Sequence, residues 1–306
     1  MDKHILFLAG SDIDSFYEVD SFLGPSDACL AKPIGTKIGG CILNAAVVCS
    51  MLGSDVKVLD YLKKDDEGTD LLIEGLNNKK VDTSYIQYGE DVINGSCLIM
   101  KKGDDKCIYV VEPKRPYFEE DDNMKNLLFN SKYIYTTMAT LKNSFKNLDI
   151  IMDAKRNGTK IIFDGESQYL DLSDKNILLE YADGVFMNKN AYNRLMKACD
   201  FEPIDYLLGN GLNFACITDG ENGATCYTLK ESIYKKAFKV NVVDSTGAGD
   251  SFAGCFLHFL DKGLSYEECL NYASYNGSLA CTRDGGMAGA VSEEELNDFM
   301  TRKFLD

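Results

Sequence analysis

The stretch Val240-Asn241-Val242-Val243-Asp244-Ser245-Thr246-Gly247-Ala248-Gly249-Asp250-Ser251-Phe252 is where the residue types and spacing of this chain come nearest to chemistry. A β-rich run leads into small residues and then into Phe252, Phe256, Phe259 and Leu260 at helical spacing, which predicts a strand, a turn and a helix N-terminus in that order. The first turn of a helix leaves backbone N–H groups without intrahelical partners and carries partial positive charge, so it suits an anion such as phosphate. Gly247 and Gly249 would let the backbone approach a ligand closely. A carboxylate in that turn repels phosphate unless it faces another group, such as a hydroxyl whose proton it removes. Phosphoryl transfer needs both functions, a base beside the nucleophile and donors beside the developing charge. Asp250 is either that base or a helix cap.

Four further segments pair glycines with polar side chains. In Lys37-Ile38-Gly39-Gly40-Cys41-Ile42-Leu43-Asn44, Asn44 offers a donor and an acceptor that suit a hydroxyl, although the bare pattern is a strand end followed by a helix. Asp12-Ile13-Asp14 follows the first apolar run, where acids are equally at home in a solvated turn. Thr218-Asp219-Gly220-Glu221-Asn222-Gly223 makes a tight turn after a strand, and the run from Asn276 through Ala280 to Gly286 is a helix with a glycine stop.

Taken together, these segments resemble the ribokinase-like carbohydrate kinase family over almost the whole chain. In the Asp-Ser-Thr-Gly-Ala-Gly-Asp string, the resemblance makes Asp250 the catalytic base and Gly247, Ala248 and Gly249 the anion hole. It implies that Gly39, Gly40 and Asn44 contact sugar hydroxyls together with Asp12 or, as the better match, Asp14. ATP would lie along Thr218, Gly220 and Gly223, with Asn276 and Ala280 in the adenine pocket. Asp244 and Thr246 match positions that hold a monovalent cation in many relatives, so K+ joins ATP and Mg2+ as an implied cofactor. A homodimer through the lid is a further expectation.

The match departs in three places. Where the family has Asn-x-x-Glu, helping to position magnesium, this chain has Asn188-Lys189-Asn190-Ala191, so Asn188 remains a nucleotide contact but the acid is absent. Cys41, Ile42 and Leu43 replace the Lys-Gly-Ala usual in ribokinases proper, which removes the indication of ribose. Phe163-Asp164-Gly165-Glu166-Ser167-Gln168 keeps the Asp of a Phe-Asp-x-Asn-x-Arg motif and lacks its Arg, so an acidic sugar loses its bidentate cation.

The elements that must position these residues alternate as in a parallel sheet wrapped by helices. Strands are predicted at 4–9, 56–60, 133–136, 159–163, 185–187 and 214–218, and helices at 41–52, 66–77, 143–156 and 189–198. Segments 14–38 and 93–112 break the rhythm, the second as a hairpin turning at Lys102-Gly103-Asp104-Asp105. The expected fold is therefore α/β and, by the resemblance, ribokinase-like: a central, mostly parallel sheet with helices on both faces, in one domain over 1–306, plus a small β-sheet lid from the two insertions.

A formal net charge of -16 argues against nucleic acid and anionic membranes as partners. No apolar run reaches the roughly 18 residues of a membrane span, and the start is too short for a secretory signal, so the cytoplasm is expected. Eleven cysteines without a CxxC pair, and two histidines, His4 and His258, point to reduced thiols rather than zinc. No P-loop string or Gly-x-Gly-x-x-Gly after the first strand is present. Three readings stay open: a kinase for a small-molecule sugar, a nucleoside kinase in which Phe16, Tyr17 or Phe22 stacks on a base, and a sensor that kept the pocket without turnover.

Overall fold

A computed structural model describes residues 3–103, 105–165 and 175–303. Five strands supply the parallel heart of the protein: β1 (His4–Leu8), β4 (Val56–Leu59), β9 (Ser131–Thr137), β10 (Lys160–Asp164) and β11 (Gly184–Asn188). β12 (Phe214–Thr218) continues that direction, and β13 (Ala224–Tyr227) and β14 (Ser232–Lys235) turn back antiparallel at one edge. Among the described residues the order is β14-β13-β12-β11-β10-β9-β1-β4.

The inner strands are mostly apolar because both faces are covered. On one face Ile5, Phe7, Tyr135, Phe186 and Phe214 pack with α1 (Cys41–Leu52), α2 (Glu67–Asn77), α9 (Ala248–Asp261), α10 (Tyr266–Ala280) and α11 (Glu293–Lys303). On the other, Leu6, Leu8, Ile134, Phe163 and Val185 meet α3 (Asp122–Phe129), α4 (Met138–Ser144), α5 (Asp149–Arg156), α6 (Lys175–Tyr181), α7 (Lys189–Lys197) and α8 (Pro203–Gly209). Neighbouring residues of one strand thus enter opposite cores. No described helix is long and apolar enough to cross a membrane.

A second sheet stands apart from the first. β2 (Asp12–Val19) and β3 (Ala31–Gly39) form an antiparallel pair, β7 (Gly95–Lys102) and β8 (Asp105–Val111) form another, and β2 joins β7 in parallel. The two insertions therefore build one lid, which begins at Asp12 rather than at residue 14. Tyr61–Lys63 (β5) and Gln87–Gly89 (β6) make a short parallel pair beside it. All eleven cysteines are free thiols, six of them buried, and Cys216 faces Cys226 across the β12–β13 ladder.

Two expectations need correction. The helix predicted at 143–156 is two helices, α4 and α5, because Phe145 is extended at φ -125 and ψ 145 and turns its ring into the core. Residues 240–243 are not a strand. Val242 and Val243 are 66% exposed, and the amide of Val243 donates to the Cys281 carbonyl rather than to a ladder. β-branched residues without a neighbouring strand edge do not make a sheet.

Candidate active site

Two helix N-termini meet to form the site. α1 starts after Gly40, whose φ of +103 and closeness to the Gly10 carbonyl leave no room for a side chain. Asn44 stands in its first turn, buried, and its Nδ2 donates to Asp250 Oδ2 at 2.7 Å. α9 starts after Gly247, which is left-handed at φ +73, and a Cβ there would run into the Gly286 carbonyl. Aromatic packing fixes α9 on the sheet: Phe256 lies 5.2 Å, centroid to centroid, from both Phe186 and Phe214. Burying a ring of this size stabilises by about 2–3 kcal/mol, so Asp250 rides on a rigid support.

Asp250 does not cap its helix, since no side-chain cap bond is made at Gly247. Its carboxyl is pushed up to about 7, first by burial and then by the nearby charge of Asp164, with the Asn44 bond opposing. Tyr135 donates to Asp164 at 2.6 Å from the neighbouring strand. Around the same turn, the Ala248 amide bends back to the Ser245 carbonyl at 3.3 Å and the Ser251 amide closes the first helical bond to Gly247. Among the described residues the amides of Gly249 and Asp250 have no such intramolecular acceptor, and a Cβ at Gly249 would meet open space.

At the lid base, Asp12 pairs with Gly39 across β2–β3 and its carboxylate packs on Gly95, while a Cβ at Gly39 would sit 2.6 Å from Asp14 Oδ2. Burial pushes Asp12 up to about 6, with Arg115 opposing and Asp14 and Asp60 adding to the rise. Burial also raises Asp14, against a Cys97 hydrogen bond and the charges of Lys106 and Lys37. Asp12, Asp14, Gly39, Gly40, Asn44 and Asp250 thus form a continuous polar path from lid to α9.

The nucleotide-side residues divide. Asn188 and Thr218 are register partners at the C-terminal ends of β11 and β12, and Asn188 caps α7 through the Ala191 amide. Gly220 (φ +53) and Gly223 (φ +100) shape the turn beyond, where a side chain on Gly223 would strike the Lys235 carbonyl. Asn276 and Ala280, by contrast, are 0% exposed, because that side of α10 packs on α9; Asn276 donates to the Ser251 carbonyl at 3.1 Å. Both residues are thus held in the packing between α9 and α10.

Asp244 takes bonds from the Thr246 amide (3.0 Å), the Thr246 hydroxyl (2.7 Å) and the Gly285 amide (3.1 Å). Burial disfavours its charge, but these bonds and Lys106 hold the carboxyl below the usual range. The Asp244 carboxylate thus ties the turn before α9 to the loop after α10. No cluster of three His, Cys, Asp or Glu able to hold a metal occurs among the described residues.

Several contributors escape sequence reasoning. Arg115 bridges to Asp60 at 3.1 Å and donates to the Ser11 carbonyl at 2.8 Å, while Asp60 takes the Ser11 amide and hydroxyl, so the β1–β2 junction is clamped beside Asp12. Asp164 was visible as the remnant of a motif, whereas Tyr135 and Arg115 gave no local signal. Glu166, Ser167 and Gln168 of that motif lie outside the described residues.

Comparison with known proteins identifies the family and the fold. The family model of the pfkB family carbohydrate kinases matches residues 6–293. A ribokinase of Dictyostelium discoideum is 26% identical across 97% of this chain and 100% of its own length. A nucleoside kinase of Methanocaldococcus jannaschii is 25% identical across 84% of this chain and 83% of its own. The structure of Arabidopsis thaliana ribokinase complexed with ribose and ATP superposes with a TM-score of 0.82 at 20% identity, covering 98% and 99% of the two chains. The fold is ribokinase-like, and the chain belongs to the pfkB family of carbohydrate kinases.

Proposed function

We propose that the protein transfers the γ-phosphoryl group of ATP to a hydroxyl of a small sugar, with Asp250 as general base. The observation that carries this is the convergence, in one turn, of a carboxyl at about 7 with the free amides of Gly249 and Asp250. In its ionised form Asp250 accepts the hydroxyl proton as the sugar oxygen bonds to the γ-phosphorus. The bond from that phosphorus to the bridging oxygen breaks, and ADP leaves with the electron pair. Asn44 holds Oδ2 of the base, leaving Oδ1 to face the substrate. The two amides donate to the transferring group, a preorganised electrostatic effect on the order of several kcal/mol in a water-poor site.

The sugar lies between Asp14, Asp12, Gly39, Gly40 and Asn44, and the nucleotide runs from the α9 turn toward Asn188, Thr218, Gly220 and Gly223. Magnesium bound with ATP would supply neutralisation of the phosphate charge. Ribose and ATP bound to the Arabidopsis relative support this pairing of substrates.

A nucleoside acceptor is the second reading. Phe16 lies two residues beyond Asp14 on the same face of β2, where its ring could stack on a base, and the archaeal relative is a nucleoside kinase. A panel of sugars and nucleosides with ATP decides between them, read on wild type and Asp250→Asn. One good acceptor is expected, with turnover in the variant lower by at least about a hundredfold, the scale of general-base catalysis. Unchanged turnover in Asp250→Asn removes the base role.

A further inference from the structure

The lid carries a cation that the catalytic reading above does not use. Lys37, on β3, reaches out of the lid to Asp284 in the loop after α10, at 2.6 Å. That loop forms the rim of the α9 turn. The Gly285 amide bonds Asp244, Gly286 packs on Gly247, and a Cβ on Gly286 would lie 2.8 Å from Asn44 Nδ2. A Cβ on Gly285 would be 3.4 Å from Lys37 Nζ. The Lys37 ammonium is therefore only a few side chains from Asn44, Asp250 and the two free amides.

We propose that Lys37 is a phosphate-contacting residue that Asp284 holds in reserve: when ATP binds at the α9 turn, the ammonium leaves Asp284 for the β- and γ-phosphate oxygens. This rests on the kinase reading of the site. Three observations point the same way.

Asp284 and Lys37 are 70% and 47% exposed, and an ion pair in that setting contributes about 0–1 kcal/mol, so exchanging it costs little. A triphosphate offers several charges and stronger charge-assisted bonds. Secondly, Asp14, Asp244, Asp250 and Asp284 make the rim acidic in a chain of net charge -16, so a triphosphate entering it needs a cation at close range. The lid supplies it, since Lys106 on β8 acts on both Asp14 and Asp244 and Lys37 acts on Asp14. Thirdly, Lys37 lies over the Phe16 ring at 5.5 Å, which keeps the stem over the site face of the lid while the ammonium changes partner.

The exchange makes the lid sensitive to the nucleotide's phosphates and leaves adenine recognition untouched. The test is equilibrium binding of ATP, ADP and AMP, without acceptor, to wild type, Lys37→Met, Lys37→Arg and Asp284→Asn. Lys37→Met is expected to weaken ATP by about tenfold or more, the loss of a charge-assisted contact, with AMP within about twofold. Lys37→Arg restores most of the ATP affinity, and Asp284→Asn, which frees the ammonium, tightens it. Equal losses in Lys37→Met and Asp284→Asn would mean that the pair is only a latch and would overturn the proposal, as would equal weakening of ATP and AMP. Wild type that binds ATP yet phosphorylates no acceptor sinks the kinase reading while the Lys37 comparison stands; wild type that does not bind ATP sinks both.

Discussion

Asp250 stands between opposing influences. The α9 N-terminus and the Asn44 amide favour its charged form, whereas burial and Asp164 disfavour it and win, leaving the carboxyl at about 7. The sign of the pH dependence follows. Only the ionised carboxylate can take the hydroxyl proton, so kcat/KM is expected to rise with pH and level off above about 7. Asp164→Asn removes the like charge and should move that rise to lower pH; a pH–rate profile in which the limb stays in place would show that Asp164 does not act on the base. At this scale the sequence was half legible. Asp250 and Asn44 were readable because each sits in a glycine-flanked helix start that resembles a family motif, although the bare pattern left each open to a structural role. Asp164, Tyr135, Arg115 and Lys37 come from two strands of the main sheet, the loop after β8 and a lid edge, and their meeting depends on strand order, which no local spacing encodes.

Among the elements, the contact between α1 and α9 decides whether the base and its partner meet. Gly254 lies against the backbone of Ala45, and a Cβ there would run into the Ala45 carbonyl. Gly254→Val should therefore destabilise by about 1–3 kcal/mol, as overpacking does, and lower kcat although it touches no substrate. Thermal melting together with steady-state kinetics checks this, and full activity with an unchanged Tm would mean that the helices tolerate separation. The helix at 41–52 was readable to the residue because its apolar run is closed by Gly53 in the left-handed conformation. The break at Phe145 was hidden inside a continuous apolar pattern, and the four residues before Asp244 imitated a strand through β-branching alone.

At the scale of the whole molecule, the α/β class and the lid were legible from the alternation of elements and its two interruptions. The pairing of β2 with β7, more than 75 residues apart, was not, since nothing local prefers one partner edge to another. β8 is the outer strand of the lid and exposes Ile108, Tyr109, Val110 and Val111, while Leu30 and Ile34 expose apolar surface at the opposite edge. An open, apolar edge strand favours association, so a homodimer through the lid is expected in sedimentation equilibrium. Ile108→Lys with Val110→Lys should shift it to monomer, and a wild type that stays monomeric at high concentration removes the expectation. The cysteines add a kinetic asymmetry. Burial raises the thiols of Cys49, Cys216, Cys255 and Cys269, so in the native state they are poor thiolates and hard to oxidise. An unfolded chain has no such shelter and can join Cys216 to Cys226, or to any other of the eleven, before the sheet re-forms. In air, then, the fold guards its own reversibility: a molecule that once opens is trapped by its own sulfur, and its lifetime is set by the rate of opening rather than by the equilibrium.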